Sequence, residues 1–309
     1  MIINLGSRTD IPAFFSEWFY NRVDEGYVCV RNPYYQEQVT KYILDPKVVD
    51  CLVFCTKNPQ PMLDKLDKIS EFGQLWFVTI TPYGKDIEPY VPDVNDVLDS
   101  FKKLSDAVGA EKIIWRYDPI FVNEDYSIER HIEEFSNMAQ KLNGYTQECI
   151  ISFIDLYEKT KKNFKGVRAV KLFEKEFLAQ NFSDIAFRNN MKLKTCAEGV
   201  EFAKYGIDID GCITKKVIER AIAKRLNIPK LSQARQECNC ILGNDIGVYN
   251  TCRHGCLYCY ANYDSVAVKN NLKKHDPTSP FLIGNYQKGF DVVKNAEQFS
   301  FVDLQGKLF

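Results

Sequence analysis

Short apolar runs rich in β-branched and aromatic residues recur along the chain. Each is followed by a polar cluster, then by a stretch with apolar residues every three or four positions. The runs predict strands at Ile2–Leu5, Tyr27–Val30, Asp50–Cys55, Leu75–Ile80, Ile113–Tyr117, Cys149–Ile154, Lys192–Cys196 and Asp245–Asn250. The amphipathic stretches predict helices at Ala13–Asp24, Pro33–Leu44, Pro59–Phe72, Val94–Val108, Ser127–Leu142, Phe173–Asn190 and Thr214–Leu226. Strands alternating with helices predict an α/β protein, and eight such strands a TIM-like (β/α)8 barrel. A doubly wound sheet is the alternative, but no G-x-G-x-x-G follows the first strand.

The strand ends are polar. Ser7-Arg8-Thr9-Asp10 follows the first strand, Arg31-Asn32-Pro33 the second and Thr56-Lys57-Asn58-Pro59 the third. Thr79-Ile80-Thr81-Pro82, Arg116-Tyr117-Asp118-Pro119, Ser152 with Asp155, and Thr195-Cys196-Ala197-Glu198 close the next four. In a barrel all of these face one rim, where active sites are built. One such end is an ordinary helix cap. Seven in succession, with Arg and Lys among them, are more than capping requires.

The chain's 309 residues suit one large barrel or two ordinary domains, and 45% hydrophobic with 26% charged residues is the composition of a soluble globular protein. A net charge of -1 provides no overall pull toward nucleic acid or membrane. The start has no basic segment followed by a long apolar run, so it does not read as a signal peptide, and no stretch approaches a membrane span. These features predict a cytoplasmic protein. Eleven cysteines without an export signal then point to metal binding or catalysis rather than disulfides. Cys29, Cys51, Cys55 and Cys149 lie in or beside apolar runs and read as small core residues.

Asn250–Asn262, N-T-C-R-H-G-C-L-Y-C-Y-A-N, places Cys252, Cys256 and Cys259 at C-x3-C-x2-C. Three thiolates on one loop suit an iron–sulfur cluster, and a four-iron cluster held by three leaves one iron open. Two rivals stand beside this reading. The spacing also fits a buried helical stripe, which Gly255, Arg253 and His254 interrupt. A zinc knot needs a fourth ligand, and His254 lies between the cysteines.

That motif, with Tyr258 just before its last cysteine, resembles the signature of the radical S-adenosylmethionine (SAM) superfamily. The resemblance implies a [4Fe-4S] cluster whose open iron chelates the methionine part of SAM. It also implies reductive cleavage to a 5′-deoxyadenosyl radical, Tyr258 beside the adenine, and a reductant such as flavodoxin or ferredoxin as partner. In most members the cysteine loop follows the first strand; here it follows the last. Strand eight of a closed barrel lies beside strand one. The expectation is therefore a circularly permuted barrel with Asp245–Asn250 parallel to Ile2–Leu5, and with Arg8 and Asp10 beside the cluster.

Within the superfamily, C-R-H-G-C-L-Y-C-Y-A, Thr56-Lys57, Thr79–Thr81 and Arg116-Tyr117-Asp118-Pro119 resemble the spore photoproduct lyase group. That likeness implies Lys57 as a SAM contact, and Thr79 or Thr81 as a hydroxyl beside it. No lyase-like catalytic cysteine is placed by motif, so the catalytic residues and the substrate stay open, with nucleic-acid repair an analogy. Through Ser7–Pro12, Thr56–Pro59 and Tyr249–Asn262 the whole chain resembles a bacterial family known as a domain of unknown function.

Read from the residues alone, Lys57 suits a carboxylate as a mobile point charge, or is a solvated rim lysine. Arg116, after the apolar run Ile113-Ile114-Trp115, is a candidate cofactor contact, or forms only a structural ion pair with Asp118. Glu198 is a candidate for the SAM amino group or a helix cap. Cys196, Cys212, Cys238 and Cys240 occupy polar or turn settings and make a second closed site, a second [4Fe-4S] cluster or a zinc ion, with the cluster preferred.

The expected organisation is a permuted barrel over residues 1–262, with a cysteine-rich segment at 196–262, and a tail, 263–309, packed on it. The leading function is a radical SAM enzyme. The alternatives are an iron–sulfur electron carrier or sensor without SAM chemistry, and a zinc-stabilised nucleic-acid module.

Overall fold

The computed structural model describes residues 1–229, 240–241 and 243–303. Its strands are β1 (Ile2–Asn4), β2 (Tyr27–Arg31), β3 (Gln38–Ile43), β4 (Cys51–Thr56), β5 (Gln74–Thr79), β6 (Ile113–Ile120), β7 (Glu148–Phe153), β8 (Lys192–Thr195), β9 (Asn244–Asp245) and β10 (Val292–Asn295). Its α-helices are α1 (Ile11–Phe14), α2 (Ser16–Glu25), α3 (Val94–Val108), α4 (Ile128–Leu142), α5 (Glu158–Asn163), α6 (Leu172–Arg188), α7 (Lys215–Ile222) and α8 (Ser265–Leu272).

Seven strands form one parallel sheet in the order β8-β7-β6-β5-β4-β1-β9. Parallel strands need crossovers, and the helices supply them. In α3 the spacing of Val97, Leu98, Phe101 and Leu104 makes an apolar stripe, and Gly109 with φ 101° ends the helix. In α4 the Ser127 side chain accepts from the N–H of Arg130, while Phe135, Met138 and Leu142 face inward.

Alternation along the strands divides the core into two layers. Phe54, Trp76, Trp115 and Ile151 pack with residues of α2, α3, α4 and α6. Val53, Phe77, Ile114 and Ile150 face the other way and are covered by α7 and by Cys212, Ile213 and Cys240. Phe54 stacks on Trp76 at 3.8 Å between centroids, locking β4 to β5 on the first face.

The last strand lies beside the first. β9 is parallel to β1 with Asn4 opposite Asp245, and the N–H of Ile246 donates to Asn4 O at 3.1 Å. β9 is shorter than expected, because Asp245 turns its side chain back onto the N–H of Gly247 at 2.8 Å.

The closed eight-stranded barrel is not found: β8 and β9 are the sheet's edges and do not pair with each other among the described residues. The strand count falls short because β2 leaves the main sheet. It pairs antiparallel with β3, and β10 adds to β3 in parallel. The helix expected at Pro33–Leu44 is in fact this β3 strand. Val39, Thr40, Tyr42 and Ile43 are β-formers, and a short hairpin closed by Asn32 N–H to Gln38 O costs less entropy than a distant pairing. The helix expected at Pro59–Phe72 is a 3-10 helix, Gln60–Ile69, kinked at Lys65.

Residues after Asn262 run back over the N-terminal part. Trp18 Nε1 donates to Ser279 O at 2.9 Å, Arg22 donates to Thr278 O at 2.9 Å, and Phe281 and Leu282 are buried. No helix among the described residues is long and apolar enough to cross a membrane.

Candidate functional site

The cysteine loop begins at Asn250, five residues past the end of β9, where φ is 58°, and turns again at Gly255, φ 71°. A Cβ at Gly255 would lie 3.0 Å from the Tyr90 ring, so only glycine combines this φ with so close an approach. Backbone bonds dock the loop on the segment after β5: Tyr90 N–H to His254 O, and Leu257 N–H to Ile87 O. Asn262 Nδ2 donates to Cys252 O, and the Tyr260 hydroxyl to Ser7 O. The loop's shape is therefore held by its peptide groups and by neighbouring side chains, leaving the thiols for other partners.

Cys252, Cys256 and Cys259 are partly exposed, and their sulfurs do not all lie within 4.8 Å of one another. Burial pushes all three thiols up. Against it, the N–H of His254 faces the Cys252 sulfur, and those of Ala261 and Asn262 face Cys259, an arrangement that favours thiolate.

His254 is turned away from the thiols. Its Nε2 is 2.9 Å from Asp10 Oδ2 and its ring packs on Phe14 at 4.5 Å. His254 is thus engaged by Asp10 and Phe14. Asp10 in turn caps α1 through Ala13 N–H and accepts from Lys57 N–H at 2.8 Å, which joins the ends of β1 and β4 to the loop.

Four side chains gather beside the loop. Lys57 Nζ lies 2.9 Å from Glu88 Oε1 and 3.3 Å from Thr81 Oγ1, Thr81 donates to the same carboxylate oxygen, and so does the Tyr258 hydroxyl. Burial opposes the charge on Lys57, but Glu88 and then the nearby Cys256 outweigh it, and its pKa stands above the ordinary value. Burial, Cys256 and Glu88 push the Tyr258 hydroxyl well up. Glu88 is the residue that the sequence reading missed. It lies in an irregular stretch between β5 and α3 that carries no motif.

The other candidates are placed elsewhere. Arg116 Nη2 is 2.5 Å from Asp118 Oδ2, and Asp118 also accepts from Ser152. Arg116 Nη1 stands 3.9 Å from the Cys212 sulfur, so it faces the second cysteine set. Glu198 accepts from Phe153 N–H at 2.7 Å and from Lys175 at 2.9 Å, and is engaged in joining β7 to α6. Arg8 stands 4.0 Å from Asp245 and over the Tyr249 ring. Beside Tyr249 an open polar cleft is lined by Arg8, Arg31, Asn32, Tyr42 and Asn244.

Three members of the second set come together. The sulfurs of Cys196, Cys212 and Cys240 lie within 4.8 Å of one another, a group that could hold a metal ion. Cys238 lies outside the described residues. Hydrogen bonding with Cys196 is the main cause that pushes the Cys240 thiol up to about 12.

The family model described as Domain of unknown function (DUF1848) matches residues 2–261, and the chain belongs to that family. The match spans the whole parallel sheet and both cysteine sets. No curated protein matches the chain.

Proposed function

We propose that this DUF1848 member is a radical SAM enzyme, with a [4Fe-4S] cluster on Cys252, Cys256 and Cys259. Its strand order is permuted, so that the cysteine loop follows the last strand. The observation that carries this reading is the group Lys57, Thr81, Glu88 and Tyr258 beside Cys256. Cys252, Cys256 and Cys259 would hold the cluster, which would supply the electron for reductive cleavage of bound SAM and so radical chemistry on a substrate.

The chain's own residues then have separable roles. Lys57 presents a positive charge to the carboxylate of SAM's methionine end, and Glu88 a hydrogen-bond acceptor to its amino group. Thr81 and Tyr258 hold the Glu88 carboxylate in place through their hydroxyls. Asp10 fixes His254, and with it the entry to the loop. A low-potential carrier of the flavodoxin or ferredoxin type is the partner this chemistry requires.

Anaerobic reconstitution with iron and sulfide, followed by dithionite and SAM, tests the reading. Formation of 5′-deoxyadenosine and methionine, lost in C252A, C256A and C259A, is the expected result. A reducible cluster that leaves SAM intact would sink the proposal and favour an electron carrier.

A further inference from the structure

The second cysteine set differs from the first in its spacing. Cys196 Sγ is 3.4 Å from Cys212 Sγ, and Cys212 Sγ is 3.2 Å from Cys240 Sγ. A cubane takes each thiolate on a different iron and keeps its own width between them. A single tetrahedral ion draws its thiolates to about 3.8 Å from one another, given bonds of about 2.3 Å. The observed separations fall on the single-ion side, whereas the sulfurs of Cys252, Cys256 and Cys259 are more widely spread.

The surroundings suit thiolates as well. The N–H groups of Cys212 and Ile213 point at Cys240 Sγ, at 3.3 and 3.4 Å, and Arg116 brings a guanidinium to 3.9 Å from Cys212 Sγ. Cys212 and Cys240 are buried, and Cys196 is partly so. Thiols without a metal here would be three weak donors in an apolar layer formed by Phe77, Ile213 and Val217.

Position in the fold gives the site a purpose. Cys196 directly follows β8, Cys240 comes shortly before β9, and these strands are the two edges of the open sheet. Cys212 stands between them, ahead of α7.

We propose that Cys196, Cys212 and Cys240 supply three of the four ligands of one thiophilic divalent ion, zinc or ferrous iron, with water at the fourth position, rather than holding a second cluster. The ion clasps the two edge strands across the face covered by α7. It takes the place of the hydrogen-bonded closure that β8 and β9 lack. Binding releases the thiol protons to solvent and involves no redox step.

The test uses the full chain carrying C252A, C256A and C259A, with folding checked by circular dichroism. About one metal ion per chain should remain, and X-ray absorption at that metal should show sulfur at about 2.3 Å with no metal neighbour. The absorption edge distinguishes zinc from iron. Adding C212A should release the ion. If that fourth substitution prevents folding, the absorption spectrum of the triple variant still decides. No retained ion, or iron with inorganic sulfide and a metal–metal shell, would overturn the proposal. Neither outcome depends on SAM, so failure here is distinct from failure of the radical reading.

Discussion

His254 and Asp10 are 244 residues apart in the chain and lie 2.9 Å apart at Nε2 and Oδ2. The contact joins the cysteine loop to the segment that follows the first strand. Asp10 serves two further donors, the N–H groups of Ala13 and Lys57, so one carboxylate organises a helix start, a strand end and the loop.

Removing that carboxylate should therefore be costly. D10A strips a helix cap and leaves buried donors unmatched, an expected loss of about 3 kcal/mol. D10N, which retains an acceptor, should lose about half as much. Thermal melts of the three proteins give the comparison, and a D10A melt that overlays the parent would contradict the proposed organising role.

For Lys57 and Glu88 the expected effects are on ligand affinity and on alkaline stability. K57M and E88Q should each weaken SAM binding by roughly tenfold or more, read by calorimetry on the reconstituted protein. Glu88 holds the Lys57 pKa above its ordinary 10.5 in the folded state. The pair's contribution is thus complete below that value and is lost as pH rises through the raised one. E88Q should begin alkaline unfolding at lower pH than the parent. Identical alkaline transitions would argue against the pairing.

His131 sets an acid-side dependence. Burial lowers its pKa from 6.5 to about 4, and in its neutral form it lies between the Tyr117 hydroxyl and Phe121 O, each at 2.8 Å. Between those values the unfolded chain takes up a proton that the folded chain refuses. Stability is then full above 6.5 and falls by about 3 kcal/mol as pH drops through 4. Urea unfolding at several pH values should show this loss in the parent and a flatter profile in H131Q.

Gly6 probes the contact between β1 and β4. A Cβ there would lie 2.3 Å from Cys55 O and 2.5 Å from Cys55 Cβ, so backbone has to move. G6A should cost about 1–3 kcal/mol. It should also displace Ser7, whose carbonyl accepts the Tyr260 hydroxyl. A chain whose stability is unchanged by G6A would mean that the two strands can separate cheaply.

The sequence by itself determined most of the elements, because periodicity is a local property that a short window carries. Val94–Val108 is a helix with the same bounds in both readings, and the parallel neighbour of β1 follows from the polar strand ends and the late cysteine loop. The thiol spacing of Cys252, Cys256 and Cys259 was equally legible. Tertiary structure alone decided which elements share a sheet. Tyr27–Val30 has the composition of a central strand, yet it pairs with Gln38–Ile43, because a nearby hairpin closes at lower entropic cost. It also decided which side chains meet. Glu88 carries no motif and becomes Lys57's partner only once the segment after β5 folds over the rim. Arg116 and Lys57 both follow apolar runs, but Arg116 lies inside β6 and faces Cys212, whereas Lys57 follows the end of β4 and stands near Cys256. The separations among Cys196, Cys212 and Cys240 depend on how far apart the sheet leaves its edges, and no local pattern records that distance.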